Sequence, residues 1–146
     1  MNHVAKITTW FGVIISGLLL TGCATGPKYS DYRATLQPRA AGMGRIWFYR
    51  HSVVFGDAID PAVKLDGTKI GNSIPGSFFQ VQTTPGVHEV STATEATYKT
   101  TVTVSTNTDS YVKFHVLPGA FVYRVVPSVV NEAEAVQEMG GLRYAR

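Results

Sequence analysis

Turn-forming residues recur at short intervals through residues 45–126 and leave no room for a long helix. Asp66-Gly67, Pro85-Gly86, Asn107 and Pro118-Gly119 each separate short runs in which apolar and polar residues alternate. Runs of this length with a period of two are strands, and their regular spacing is that of a sandwich. The spacing predicts an all-β fold: an antiparallel β-sandwich of about seven strands with one short C-terminal helix. The run 45–51 is apolar on both faces, with Ile46 and Phe48 opposed to Trp47 and Tyr49, which predicts a central strand. Asp66-Gly67 supplies the positive φ angles of a tight hairpin between 62–65 and 68–70. Further strands are expected at 77–82, 87–92, 98–104, 110–117 and 121–126. Asn131 then caps a helix over 132–139, stopped by Gly140 and Gly141.

Composition sets the class. Hydrophobic residues make up 45% of the 146, enough for a real core, so wholesale disorder is excluded. One cysteine excludes a disulfide within the chain and any multi-cysteine metal site. A net charge of +3 is too small and too scattered for nucleic acid.

The start of the chain differs from the rest. Residues 7–20 carry no charge and are apolar on every side, and small residues follow at Gly22, Cys23 and Ala24. A membrane span needs about 20 apolar residues, so this shorter run predicts a secretory signal helix over 1–22. Leu20-Thr21-Gly22-Cys23 resembles the lipobox of bacterial lipoproteins. The resemblance implies cleavage between Gly22 and Cys23 and a membrane partnership through diacylglyceryl and N-acyl groups on Cys23. Ala24 in place of Asp resembles outer-membrane sorting, which places the domain in the periplasm. Residues 23–43, broken by Pro27 and Pro38, are expected to form a flexible tether reaching about 65 Å, and 44–146 the folded domain. The leader takes Lys6 with it, so 12 basic and 10 acidic residues remain, a net of +2.

The order of 44–50 (GRIWFYR), 63–67 (VKLDG), Ile70-Gly71, Phe79, 85–88 (PGVH) and Tyr111-Val112 is similar to a widespread group of small bacterial lipoproteins known as domain of unknown function 2846. Residues 63–90 also resemble PEGA-type surface β-domains. Both resemblances imply an all-β fold and bring no known activity.

No nucleophile elbow, phosphate-binding glycine loop or zinc-protease helix motif is present. No catalytic residue, metal ligand or cofactor is therefore expected. The candidate binding surface has two parts. One is an aromatic face built from Trp47, Tyr49 and Tyr111 with Tyr123, which could stack on a sugar ring or instead pack as a second core. The other is the loop 52–61, whose Phe55, Asp57 and Asp60 combine apolar and acidic side chains. There Phe55 could equally plug the sandwich and the acids brace turns. His88 reads as a ligand or as a histidine bracing its turn. Arg45, Arg50, Lys64, Lys69 and Lys113 could offer a basic face to anionic glycan or lipid. The functional expectation is a lipid-anchored, non-catalytic interaction or structural module of the cell envelope, with envelope proteins or glycan as partners. A glycan or small-ligand binder using the aromatic face is the alternative, and an envelope hydrolase the third reading.

Overall fold

A computed structural model describes residues 25–146. The signal segment and Cys23 lie outside the described residues. The chain forms β1 (Gly44–Arg50), β2 (Ala62–Leu65), β3 (Thr68–Asn72), β4 (Ser77–Thr83), β5 (Gly86–Ala93), β6 (Thr97–Val104), β7 (Asp109–Leu117), β8 (Arg124–Val130) and β9 (Arg143–Tyr144), with helices α1 (Tyr29–Ala34) and α2 (Glu132–Met139). Among the described residues no helix is long and apolar enough to cross a membrane.

Two sheets face each other as the alternation predicts. One has the order β8-β7-β1-β4-β9 and the other β3-β2-β5-β6. Ile46 and Phe48 of β1 meet Val63, Val90 and Val102 of the opposite sheet in the sandwich core. Phe48 stacks on Phe79 at 4.9 Å between ring centroids. Asp66 and Gly67 both take positive φ, 49° and 81°, as the tight hairpin requires.

The first sheet is mixed rather than purely antiparallel. The chain crosses to the second sheet and back twice between β1 and β7, and these two strands pair in parallel, Trp47 beside Tyr111. β9 likewise runs parallel to β4. The last long strand also falls later than 121–126. It runs through Pro127, which a strand tolerates at a sheet edge because its missing N–H costs no ladder bond there. Residues 118–123 are left as a loop.

Both faces of the first sheet are covered, which accounts for β1 being buried at all seven positions. Its outer face carries a second core of Trp47, Tyr49, Phe78 and Tyr111 under Tyr29, Ala135, Met139 and Leu142. α2 is capped as expected, the Asn131 side chain accepting from the Glu134 N–H at 2.9 Å. The stretch read as a tether is partly folded. Tyr29 N–H donates to Leu142 O at 3.1 Å, and Tyr144 N–H to Pro27 O at 2.9 Å. The Tyr29 ring meets Trp47 and Phe78 edge-on at 5.4 and 5.3 Å. Each such pair adds about 1 kcal/mol beyond area burial, enough to seat a six-residue helix that would be unstable alone.

Candidate functional site

Trp47, Tyr49 and Tyr111 are 0%, 1% and 2% exposed. They form no open face for a sugar. Aromatic rings on a strand face are covered wherever an apolar helix can reach them, and α1 and α2 do so here. Only the phenol tips reach polar partners. Tyr49 donates to Glu138 at 2.7 Å and Tyr111 to Glu132 at 3.0 Å. Burial, with these carboxylates adding to it, pushes both phenols well above their ordinary pKa. Lys113 donates to the other Glu138 oxygen at 2.6 Å, and this hydrogen bond raises its pKa. Burial alone would raise the Glu138 carboxyl, but Lys113 and Tyr49 outweigh it and hold it low. The constellation docks α2 against β1 and β7.

Two of the three described histidines, His88 and His115, are hydrogen-bonded. His88 Nδ1 lies 2.6 Å from Asp66 Oδ2 and Nε2 2.8 Å from Thr84 O. Both partners are acceptors, so both ring nitrogens donate, which only the imidazolium can do. Burial pulls its pKa down, yet these hydrogen bonds outweigh burial and raise it. The ring braces the β2–β3 turn against the start of β5. His115 Nε2 sits 2.7 Å from Ser128 Oγ, and among the described residues no ion pair with a carboxylate turns this couple into a triad. His51 lies 3.6 Å from Glu138. No three metal-ligating side chains converge among the described residues.

The loop 52–61 is the part of the candidate surface that stays open. Arg50 has the parity of Ile46 and Phe48, so its side chain enters the end of the sandwich core and is 1% exposed. It meets no carboxylate there. Its guanidinium donates to Gly56 O at 2.6 Å, Ile59 O at 2.6 Å and Ser73 O at 2.8 Å, gathering the loop around one buried fork. Gly56 has φ 107°, and a Cβ there would stand 2.6 Å from Val116, so only glycine lets the loop lie this close to β7. Asp57 accepts from the Val53 N–H at 2.9 Å and from the Ser52 hydroxyl. Asp60 receives Asn72 Nδ2 on its backbone oxygen. The two acids therefore do not work as a pair, and Asp57 is a turn brace. With its backbone fixed from below, the loop holds Val54 and Phe55 out at 91% and 69% exposure.

A second loop at the same end repeats the arrangement. Glu95, in the β5–β6 turn, accepts from Ala120 N–H at 2.9 Å and Phe121 N–H at 3.1 Å and pairs with Arg124 at 3.2 Å. The Phe121 and Ala120 amides, with Arg124, hold its carboxyl below the usual range. Phe121 is thereby presented at 94% exposure. Between the loops lies an open depression of about 340 Å³ lined by Ile59, Pro61, Ala93 and Val122 together with Asp60 and Thr94. Val54, Phe55, Phe121 and Val122 thus rim one end of the sandwich. The sequence places Phe55 there. It misreads Phe121 as a strand residue, and no signal distinguishes Glu95 from any exposed acid.

The family described as Protein of unknown function (DUF2846) matches residues 40–126, more than half of the chain. The chain belongs to this family. The matched span takes in both rim loops, Arg50 and Glu95, and leaves out α1, α2 and β9. No curated protein and no solved structure matches the chain.

Proposed function

We propose that this protein is a lipid-anchored module of the cell envelope, cleaved and acylated at Cys23, held at the outer membrane and facing the periplasm. It works without catalysis, by docking a protein partner on the rim formed by Val54, Phe55, Phe121 and Val122. One observation carries the docking reading: exposed apolar side chains stand on loops whose backbones are tied down by Arg50 and Glu95. Exposed apolar side chains on a backbone already held in place lose less entropy on binding than those on a free loop, as suits an interaction surface. Burial of Trp47, Tyr49 and Tyr111 removes the support for a sugar-stacking reading, and the hydrogen-bonded His88 and His115 lend none to a hydrolase.

The test is crosslinking in whole cells expressing the full chain. Phe55→Ser/Phe121→Ser alters two exposed side chains, so thermal stability should hold within about 0.5 kcal/mol per site. Specific crosslinked species seen with the native chain should disappear. Crosslinks unchanged in the double variant would rule out the rim as the contact.

A further inference from the structure

The folding of residues 26–36 onto the domain shortens the expected tether to a few residues. Gly26 N–H donates to Tyr144 O at 3.2 Å, and a Cβ at Gly26 would stand 2.2 Å from that oxygen, so the chain is seated here closely enough to require glycine. Cys23 is three residues before Gly26. Three residues span at most about 11 Å. A lipid on Cys23 would therefore hold the edge formed by β9 and the adjoining β3 within about 11 Å of the lipid attachment point.

That edge is basic. Lys28 bridges Arg143, whose guanidinium donates to Gly26 O at 3.1 Å. Arg146 Nε donates to Ile70 O on the outer edge of β3 at 2.9 Å, tying the two sheets together. Lys69 precedes Ile70, and Lys64 is its cross-strand partner on β2. Two lysines opposite one another are destabilising unless an anion lies between them. All five cations are exposed, and none forms an ion pair among the described residues. Of the acids close by in sequence, Asp66 is committed to His88, and Asp31 of α1 and Asp60 before β2 form no ion pair among the described residues. The other cations expected on a basic face are spent elsewhere: Arg45 and Arg50 are buried and Lys113 is paired with Glu138.

We infer that the seam of Lys28, Lys64, Lys69, Arg143 and Arg146 lies on the membrane and binds the phosphates of anionic lipid headgroups. This rests on the anchoring of Cys23 proposed above. Polybasic segments beside an anchor are drawn to anionic lipid and released by salt, because the attraction decays within a Debye length.

The full lipidated chain, reconstituted in vesicles of phosphatidylcholine alone or mixed with phosphatidylglycerol, can be labelled with an amine-reactive acetylating reagent and read by mass spectrometry. In the anionic vesicles Lys28, Lys64 and Lys69 should label about fivefold more slowly, the occupancy shift of one headgroup contact per cation. Lys99, on β6 at the far edge of its sheet, should not change. High salt, or Lys69→Gln/Arg146→Gln, should restore labelling of Lys28 and Lys64. A chain that floats with the vesicles and carries acylated Cys23, yet labels equally in both lipids, would overturn the seam and leave the anchor standing. A chain that does not float, with Cys23 unmodified, would overturn the anchor and the seam with it.

Discussion

Arg50 and His88 are two cations that shape the backbone, one with carbonyls and one with a carboxylate. The alternation of β1 makes Arg50 point inward, but its three carbonyl partners lie at Gly56, Ile59 and Ser73, and no local pattern links those positions. His88 was half legible, because a histidine just after Pro85-Gly86 suggests a braced turn, while its partner Asp66 was visible only as a turn former. The pair has a pH signature. His88 is raised, so its contribution is whole below the unfolded value of about 6.5 and lost as pH rises through the folded value. Asp66, lowered chiefly by His88 and then by the Glu89 amide, contributes fully above about 3.9 and loses this as pH falls through its folded value. His88→Ala should therefore cost most between about pH 4 and pH 6.5. The loss should be about 1–2 kcal/mol, moderated by the exposure of Asp66. Urea unfolding of both proteins across pH would measure it, and a difference that grows above pH 7 would contradict the assignment.

At the scale of elements, legibility follows how much of each element's stability is local. α2 was legible because its cap and stop signals lie in its own sequence, at Asn131 and Gly140. The Asp66-Gly67 hairpin was legible for the same reason. α1 was not: it spans six residues, its N-cap Lys28 makes no side-chain cap, and Tyr29 and Tyr32 hold it by contacts to β1, β4 and β9. β9 is two residues long and exists only as an addition to the edge of β4. The helix and the β9 edge should thus depend on the close seat at Gly26. Gly26→Val should destabilise the domain by about 1–3 kcal/mol through overpacking against Tyr144. It should also open α1 from Trp47, seen as a red-shifted emission and stronger acrylamide quenching of that tryptophan in the mature chain. Unchanged Trp47 fluorescence would mean that α1 holds without its first contacts.

At the scale of the whole molecule, two exposed features lie apart among the described residues. Apolar side chains rim the end that carries the 52–61 and 118–123 loops, and unpaired cations follow the β3 and β9 edges. The sandwich between them is closed, with most of its aromatic residues spent on two cores. The sequence made the sandwich legible through alternation and turns, and made one rim loop legible through Phe55. It could not reveal the second loop or the cation seam, because both depend on residues far apart in the chain brought together by the sheets. The attachment proposed at Cys23 would join rim and seam, turning the β9 edge toward lipid and leaving the rim open to a partner. The mass of the N-terminal peptide of the protein purified from membranes tests this directly. The account predicts a chain beginning at Cys23 and carrying a diacylglyceryl and an N-acyl group. A chain that retains residues 1–22, or begins elsewhere with an unmodified Cys23, would contradict it.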